Sequence, residues 1–447
     1  MIKKLKQLIP QQHPIRLIYH KTMAMAAALY TRFPAERMQV IGITGTNGKT
    51  TTSHLVFEIL RAAGHKVGMI TTADIHINEH VYPNEHKMTT LTPFKFQKLV
   101  RRIADLGCEY LIVEVTSHAM SQNRLWGVNV DMAVLTNISH DHLDYHGTKE
   151  NYLQAKGKLF NLLNHSKRKP NVPKMSIINA DDPEASFFEE FIADRTYLYG
   201  LKKGSYQALT PSYRADGSMF VLKVPNAQEE IKLPFPGQFN IENALAAATV
   251  GVALQINLNT IKHALENAES VPGRLERIDE GQKYTAIVDY AHTEDSLEKL
   301  LSMFKELTEK RLILVFGATG DRDRTKRPLM GAIADKYADF IVLTDDDVYT
   351  ENPRRIMEEV AHGISRNEGD RFWKIHDRRQ AIRLALATAR EGDTVVVAGK
   401  GCELFQVVGK ERVPSDDRQI IRDYLSRVVE IEIAPGNVQT GNRYIES

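Results

Sequence analysis

The chain has 447 residues, of which 43% are hydrophobic and 26% are charged, the composition of an ordinary globular protein rather than of a disordered or fibrous one. Its 58 Lys and Arg residues nearly balance its 56 Asp and Glu residues, so charge gives no argument for nucleic acid as a partner. A chain of this length is expected to form two or three domains. Its two cysteines, Cys108 and Cys402, suit a reducing compartment and provide no disulfide framework.

Residues 1–38 are predicted to form a helical segment. The segment is basic at first and apolar from Met23 to Tyr30, and a strand pattern follows so closely that a cleaved signal peptide is disfavoured. Two interpretations stay open: a helix packed on the first domain, and a basic amphipathic helix in weak contact with a membrane surface. Because no segment reaches the roughly 18 apolar residues of a membrane span, we expect a cytoplasmic protein, and we expect it to be a monomer.

Residues 39–271 predict a central α/β domain with a parallel sheet of the phosphate-loop ATPase type. Apolar strand patterns alternate with helical patterns, which is typical of a parallel sheet covered by helices. The predicted strands are 40–44, 67–72, 110–117, 132–139 and 175–181, followed by antiparallel hairpins at 200–233 and an alanine-rich helix at 236–254. Ligands of such sheets bind at the carboxyl ends of the strands, so the polar residues that follow each strand are candidates for a site.

Residues 272–433 repeat the alternation and predict a smaller, Rossmann-like α/β domain. The predicted strands are 284–291, 312–319, 340–346 and 394–401, with a helical pattern after each of the first three. The boundary between the two domains is expected near Val271, where a proline and a glycine follow. The polar segment 434–447 is predicted to be a flexible tail.

The segment VIGITGTNGKTTT, residues 40–52, has the pattern of a strand, a tight turn and the start of a helix. Glycines let the backbone approach an anion, a helix start offers free N–H groups, and a lysine adds a compact positive charge. The common phosphate-loop spacing requires glycine at position 43, where this chain has Ile43, and a glycine-rich turn can also be no more than a turn. The predicted phosphate ligands are Gly45, Thr46, Asn47, Gly48, Lys49, Thr50 and Thr51.

Acidic residues and histidines follow the next two strands of the predicted central sheet. A carboxylate such as Glu114 and a histidine from a neighbouring strand end, opposite the threonine of a phosphate loop, can share one Mg2+ with ATP phosphates. A single histidine is as readily a surface or packed residue, and Asp141 and Asp144 can equally be helix caps. From composition alone, Lys156 and Lys158 on a helix further along are solvated lysines.

Three charged loops follow strands of the second predicted domain, at 289–292, 317–324 and 399–403. One such loop would be an ordinary surface loop. Because the three converge on one edge of a sheet, they indicate a second ligand site beside the phosphate loop.

Nine motifs run along the chain in a fixed order. They are TGTNGKTT, EVTSHAM, NISHDHLDYHGT, AKGKLF, PGQFNIENALAA, PGRLE, DYAHT, GDRDRTKRP and GKGCE. In this order they resemble the Mur ligase family, and most closely its muramyl-tripeptide synthetase branch, the MurE type, over about residues 25–430. The resemblance implies an ATP-dependent ligase in which a substrate carboxylate attacks the γ-phosphate. An amino acid then displaces phosphate from the acyl phosphate.

The resemblance also implies roles for individual residues, with ATP and Mg2+ as cofactors and only small molecules as partners. Lys49, Lys156 and His292 would be catalytic, and Lys156 would be carbamylated by CO2 to become a carboxylate-like metal ligand. The implied metal ligands are Thr50, Glu114, His142 and Lys156. The implied nucleotide ligands beyond the phosphate loop are Asn243, at the adenine, and Arg274, Asp289 and His292. The implied acceptor ligands are Thr89, Thr90, Ser117, Gln122 and Arg124, and the implied amino-acid ligands are Arg322, Gly399 and Glu403.

The chain departs from the family pattern in three places. Most of the family's first domain, which binds the uridine nucleotide, is missing before residue 39, so recognition of UDP stays open. Where diaminopimelate-adding enzymes carry Asp-Asn-Pro-Arg, this chain has Asp346, Asp347, Val348 and Tyr349. The arginine that would pair a distal carboxylate is gone and acidic residues remain, so we predict lysine or ornithine rather than diaminopimelate. Cys402 replaces the usual histidine of the last motif, without a predicted consequence.

Two alternatives stay open at the level of the sequence. The first is a ligase of the same family that acts on another carboxylate, such as a folate-like polyglutamate or a polyamino acid, because the folylpolyglutamate branch also lacks the first domain. The second is a non-catalytic nucleotide-binding scaffold. The retention of Lys49, Glu114, His142, Lys156 and His292 disfavours a scaffold, which has no need of a full phosphate and metal set.

Overall fold

The computed structural model describes residues 13–85, 88–139, 143–214 and 216–433. The predicted metal ligand His142 and the predicted tail from residue 434 lie outside the described residues. Within the described ranges, no helix is both long enough and apolar enough to cross a membrane.

The larger of two main sheets has 11 strands, in the order β11-β10-β9-β8-β7-β6-β1-β5-β2-β3-β4. These strands are β1 (Gln39–Thr44), β2 (Val67–Ile70), β3 (Asp74–Ile77), β4 (His80–Pro83), β5 (Tyr110–Glu114), β6 (Met132–Leu135), β7 (Met175–Asn179), β8 (Arg195–Gly200), β9 (Tyr206–Arg214), β10 (Gly217–Val224) and β11 (Ala227–Leu233). At the centre, β1 pairs in parallel with β5 and β6, with Ile41 opposite Ile112 and Met132. The carboxyl ends of these three strands therefore meet at one edge.

Helices cover both faces of this sheet, which explains why its central strands are apolar throughout rather than alternating. The helices are α1 (Pro14–Thr31), α2 (Lys49–Ala62), α3 (Pro93–Asp105), α4 (Ser117–Ser121), α5 (Leu143–His146), α6 (Lys149–His165), α7 (Ala185–Glu189), α8 (Gln238–Ala253) and α9 (Leu258–Glu266). On one face α2 packs against α8, where the predicted run of alanines permits close contact. Helix α1 packs against α3 and buries Ala24, Ala27 and Ala28.

The smaller main sheet has six strands, in the order β12-β13-β17-β14-β15-β16, and only β12 is antiparallel to its neighbour. Its strands are β12 (Glu276–Ile278), β13 (Thr285–Asp289), β14 (Leu312–Phe316), β15 (Phe340–Thr344), β16 (Phe372–Ile375) and β17 (Thr394–Ala398), and a separate hairpin is formed by β18 (Phe405–Val408) and β19 (Glu411–Pro414). The accompanying helices are α10 (Glu294–Leu307), α11 (Lys326–Tyr337), α12 (Pro353–Ala361), α13 (Arg378–Thr388) and α14 (Asp417–Ile433). The predicted fold class, a large parallel-rich α/β sheet followed by a smaller α/β sheet, is confirmed.

Two local features differ from the prediction. The helix after the phosphate loop begins at Lys49 rather than near residue 53, because Gly48 adopts a left-handed conformation (φ 81°) that permits the turn immediately before it. The β3–β4 hairpin was not predicted, since its strands have only four residues each and β4 is exposed throughout. This hairpin extends the larger sheet beyond β2.

Candidate active site

The phosphate loop joins the end of β1 to the start of α2, so the free N–H groups of the first helical turn face the loop. Gly48 allows a close approach that no other residue would allow, because a Cβ atom there would lie 2.1 Å from Asn243 Oδ1. Gly45 is similarly enclosed, and its Cβ would lie 1.9 Å from Thr136 Oγ1. The loop therefore has its shape built in by glycine and by its neighbours on β6 and α8.

Backbone and side-chain hydrogen bonds from the end of β6 hold the loop in place. The Thr46 amide donates to the Asn137 carbonyl at 2.7 Å, and the Asn47 amide donates to Asn137 Oδ1 at 3.0 Å. Thr136 Oγ1 donates to the Asn47 carbonyl at 2.6 Å. Lys49 Nζ reaches back to the Thr46 carbonyl at 2.7 Å, which places its ammonium group over the loop. The loop thus presents amides and one cation together, as phosphate binding requires.

An oxygen-rich position lies beside the loop, between α2, β5 and the turn that follows β2. Thr50 Oγ1 donates to Glu114 Oε2 at 3.0 Å, and the same oxygen accepts from the Thr72 amide at 2.8 Å and the Thr72 hydroxyl at 3.0 Å. Glu114 is buried. A carboxylate and a hydroxyl are ligands that Mg2+ prefers, so this donor set fits a magnesium ion.

Lys156, on α6, points to the opposite side of the phosphate loop backbone. Its Nζ donates to the Gly45 carbonyl at 2.6 Å and lies 4.6 Å from the centre of the Tyr152 ring, and the residue is 2% exposed. It is therefore not one of the solvated lysines that composition alone suggested, whereas Lys158 two residues later is exposed.

A cavity of about 800 Å³ runs from the phosphate loop to the edge of the smaller sheet, a volume suited to small-molecule ligands. It brings together most of the predicted site residues. Those that line it are Thr46, Asn47, Gly48, Lys49, Thr50, Thr51, Thr89, Thr90, Glu114, Arg124, Asn243, Arg274, Asp289, His292, Arg322, Asp346, Asp347, Tyr349, Gly399 and Glu403. The predicted residues outside its lining are Gly45, Ser117, Gln122 and Lys156, which lie behind it and contact residues of its wall or of the loop.

Residues that follow β12 and β13 close the cavity over the phosphate loop. Arg274 Nη2 donates to Thr50 Oγ1 at 3.2 Å, and its guanidinium group lies 4.3 Å from the Tyr290 ring centre. Asp289 accepts from the amides of Leu275 and Ala291, both at 2.8 Å, and burial raises the pKa of its carboxyl group. Asp289 therefore also shapes the two loops that carry the nucleotide candidates.

Asp295, near the start of α10, was missed by the sequence analysis. It accepts from Asn47 Nδ2 at 2.8 Å and from Ser139 Oγ at 3.0 Å, so it joins the smaller sheet's first long helix to the phosphate loop. An acidic residue in the first turn of a helix is explained locally by the helix dipole, and this explanation hides its second contact.

The acceptor candidates form one connected group along the wall next to Glu114. Thr89 Oγ1 lies 2.7 Å from Thr72 Oγ1, and Arg124 Nη1 donates to the Thr90 carbonyl at 2.5 Å. Arg124 also donates through Nε and Nη2 to Gln122 Oε1, at 3.0 and 2.6 Å, and burial lowers the pKa of its guanidinium group. Gln122 thus holds the arginine that faces the cavity.

Ser117 plays a similar indirect part. Its Oγ lies 2.9 Å from His146 Nε2, and both residues are buried.

The amino-acid candidates surround a buried lysine that was not predicted. Lys400 Nζ donates to Asp347 Oδ1 at 2.8 Å, to Glu403 Oε2 at 2.5 Å and to the Phe405 carbonyl at 2.8 Å, and the Lys400 side chain is fully buried. Beside it, the Asp347 amide donates to Asp346 Oδ1 at 2.5 Å. The GKGCE motif contained the signal for Lys400, a lysine between two glycines after an apolar strand.

Comparison with known proteins extends these observations. The model of the Mur ligase middle domain matches residues 43–251, and that of the Mur ligase, glutamate ligase domain matches residues 273–401. A protein of Geobacillus thermodenitrificans named UDP-N-acetylmuramoyl-L-alanyl-D-glutamate--2,6-diaminopimelate ligase is 41% identical over 403 residues, which cover 90% of this chain and 82% of that protein. The chain belongs to the Mur ligase family. It is accordingly an ATP-dependent acid–amino-acid ligase, which excludes the scaffold alternative.

Further relatives agree with this assignment. A ligase of the same name from Thermosynechococcus vestitus is 40% identical over 405 residues, which cover 90% of this chain and 79% of the relative. A solved structure of an enzyme with that name is 33% identical, with a TM-score of 0.61, and the match covers 88% of this chain and 79% of that one. Folylpolyglutamate synthase of Mycobacterium tuberculosis, with ADP, has a TM-score of 0.67 at 20% identity over 85% of this chain and 92% of that one, and shares the fold alone.

The predicted preference for lysine or ornithine is wrong, because these Mur ligase relatives are named for 2,6-diaminopimelate. The structure supplies a physical reason. The negative charge of Asp347, which the prediction treated as available to a cationic substrate, is paired with Lys400. The Arg322 guanidinium group lies 5.7 Å from the ring centre of Tyr349, so a cation remains next to the position where the family's arginine is missing.

Proposed function

We propose that the protein joins 2,6-diaminopimelate to UDP-N-acetylmuramoyl-L-alanyl-D-glutamate, with conversion of ATP to ADP and phosphate, in peptidoglycan precursor synthesis in the cytoplasm. The observation that carries the proposal is the 41% identity over 90% of this chain to a ligase named for that reaction. The cavity supports it, since candidates for the nucleotide, the acceptor and the amino acid line one continuous space.

In the proposed reaction, the phosphate-loop amides and Lys49 hold the β and γ phosphates while an acceptor carboxylate oxygen attacks the γ-phosphorus. The bond to the ADP oxygen breaks, and an acyl phosphate forms. The substrate amine then attacks the acyl carbon, and phosphate leaves with the bonding electrons as the amine loses a proton. Positioning and charge stabilisation must supply most of the acceleration, which suits a site built of fixed amides and cations.

Thr50 and Glu114 are the described residues that would hold Mg2+, with His142 as a further proposed ligand. Mg2+ supplies neutralisation of phosphate charge when bound. Lys156 is proposed to become a carbamate when its amine adds to CO2 and releases a proton. Its buried position at the Gly45 carbonyl keeps it next to the phosphate loop, which supports a role there rather than at the surface.

The remaining roles follow the geometry of the cavity. We assign residues 39–271 to the central ATP-binding domain and residues 272–433 to a domain that binds the amino acid and part of the nucleotide. Asn243, Arg274, Asp289 and His292 line the nucleotide end. The acceptor would contact Thr89, Thr90 and Arg124, with Ser117 and Gln122 as positioning residues, and the amino acid would contact the group around Arg322, Tyr349 and Glu403.

The test is a measurement of phosphate release from ATP with every combination of acceptor and amino acid. We expect release only when Mg2+, UDP-N-acetylmuramoyl-L-alanyl-D-glutamate and 2,6-diaminopimelate are all present. Lysine and ornithine serve as matched amino acids, since each lacks one terminal carboxylate. Faster release with lysine than with diaminopimelate would overturn the assigned amino acid, and equal release without the uridine nucleotide on the acceptor would overturn the assigned acceptor.

A further inference from the structure

Two histidines and an aspartate form a compact cluster that the proposed reaction does not use. His54 Nε2 lies 3.0 Å from Asp74 Oδ1, and His76 Nε2 lies 3.1 Å from Asp74 Oδ2. One ligand atom from each residue lies within 4.8 Å of the other two. The side chains are nearly enclosed, with 12% exposure for each histidine and 5% for the aspartate. None of the three lines the active-site cavity.

The imidazole rings are placed as ligands rather than as ordinary hydrogen-bond donors. Both Nε2 atoms are buried, and neither makes a hydrogen bond of acceptable geometry despite its short distance to the carboxylate. The two rings stand at 86° to each other with centres 5.3 Å apart, and the Phe57 ring packs edge-on against His76 at 4.7 Å. Buried polar atoms in native proteins nearly always have a partner, so two such nitrogens facing one carboxylate call for an explanation.

The carboxylate between the rings is fixed and ionised. Thr71 Oγ1 donates to Asp74 Oδ1 at 2.9 Å, and the Asp74 amide donates back to Thr71 Oγ1 at 3.1 Å. Burial by itself raises the pKa of Asp74, but the neighbouring imidazoles lower it below its usual range. A hydrogen bond that orients a ligating carboxylate is typical of the outer shell of metal sites.

We propose that His54, Asp74 and His76 bind a divalent transition-metal ion of the Zn2+ class, separate from the active-site Mg2+. Tetrahedral zinc with bonds of about 2.0–2.2 Å places neighbouring ligand atoms about 3.3–3.5 Å apart, so shifts of a few tenths of an ångström would admit the ion. Imidazole nitrogen selects zinc and its neighbours in the first transition row over Mg2+, which prefers oxygen.

The position of the cluster gives the ion a structural role. His54 lies on α2, one turn after Thr50, while Asp74 and His76 lie on the same side of strand β3. The turn immediately before β3 contains Thr72, which donates to Glu114. An ion held here would fasten the helix behind the phosphate loop to the hairpin whose preceding turn orients Glu114.

The test uses the full chain, freed of metal with a chelator and then kept in excess Mg2+ so that oxygen-rich sites are occupied. We expect one Zn2+ to bind per chain by calorimetry and elemental analysis, and saturating Zn2+ to raise the Tm by about 5 °C. Co2+ in place of Zn2+ should give the visible absorption of a tetrahedral site with nitrogen ligands. No bound Zn2+ and no Tm increase would overturn the proposal and leave an ion-free His–Asp–His cluster.

Three variants connect the bound ion to these residues. Asp74→Asn and His76→Gln should each weaken Zn2+ binding by more than the roughly 10–100-fold that loss of an outer-shell partner costs, and Thr71→Val should fall within that range. His76→Gln is the second variant in case Asp74→Asn does not fold. The matched control is His65→Gln, because His65 also lies 2.8 Å from a carboxylate, that of Glu109, but has no third ligand. Zn2+ binding that persists in both Asp74→Asn and His76→Gln would overturn the assignment.

Discussion

The phosphate loop and the amino-acid end of the cavity lie in one space but are held by different forces. At the phosphate loop the ligands are backbone amides, and their positions depend on Gly45, Gly48 and the bonds to Asn137. At the amino-acid end the groups are side-chain charges, and their positions depend on the buried ammonium group of Lys400 and its two carboxylate partners. The first arrangement is local in the chain, whereas the second is not, since Asp347 lies 53 residues from Lys400.

This difference predicts different responses to substitution. Removal of a charge from the phosphate loop should leave the fold intact, because the backbone scaffold remains, and should act on turnover. Removal of a charge from the amino-acid end should disturb both binding and stability, because a buried charge loses its partner. Predictions at the two ends can therefore test whether the distinction is real.

The largest effect is expected for Lys49→Ala. Loss of the ammonium group over the loop removes stabilisation of charge on the transferred phosphoryl group, and we expect kcat to fall by about 1000-fold with an unchanged Tm. Phosphate release and thermal unfolding measure the two quantities. The control is Lys66→Ala, an exposed lysine at the other end of the same helix. A large fall in Tm for Lys49→Ala would contradict the idea that the backbone alone supports the loop.

Lys156→Ala should lower kcat by about 100-fold, because the proposed carbamate would no longer be present to orient charge at the phosphates. Short carboxylic acids added to the assay should restore part of the activity by occupying the space of the lost carbamate. Lys158→Ala is the matched control, since this lysine lies on the same helix and is exposed. Full activity of Lys156→Ala without any added acid would exclude the carbamate.

The sequence predicted the central site well because its information is local. A strand, two glycines, a lysine and a threonine within residues 40–52 determine the phosphate loop, and the parallel sheet brings Glu114 to it by topology. Lys156 was different, because composition alone made it a surface lysine and only the resemblance gave it a role. The structure places its Nζ at the Gly45 carbonyl, a contact between residues 111 positions apart.

The amino-acid end was predicted less well for a related reason. The three aspartates near residue 346 were treated as a free negative surface, although Lys400 neutralises part of that charge from another strand end. The same limit applies to His54, Asp74 and His76, which the sequence analysis did not connect because a helix and a hairpin carry them. Motifs disclose residues that are close in sequence, but charge balance depends on which strand ends the sheet brings together.

Lys400→Met tests the charge balance directly. The variant should lose about 3–5 kcal/mol of unfolding free energy and raise the KM for the amino acid, because Asp347 and Glu403 would be left without their buried partner. Adding Asp347→Asn should recover part of both losses, since it removes one of the unpaired charges. Denaturant unfolding and KM measurements are required for the single and double variants. Lys410→Met, at an exposed lysine, is the control, and a double variant no better than the single would contradict the pairing.

The smallest effect concerns Glu351, which holds the loop next to Tyr349. Hydrogen bonds from Arg327 lower the pKa of its carboxyl group from 4.5 to about 2, although burial opposes this shift. A lowered pKa in the folded state stabilises the fold above pH 4.5, and this contribution is lost as the pH falls towards 2. Glu351→Gln should therefore lower the Tm by about 2–4 °C near neutral pH.

The difference in Tm between Glu351→Gln and the unchanged protein should narrow between pH 4.5 and about 2, as the native carboxylate becomes protonated. Thermal unfolding across this pH range is the measurement. Glu358→Gln is the matched control, because that carboxylate is 59% exposed and pairs with Lys374 at the surface, where an ion pair contributes little. A difference in Tm that stays constant down to the lowest pH would mean that the fold depends on the shape of Glu351 rather than on its charge. In that case buried charge at this end of the cavity would be confined to Lys400 and its partners.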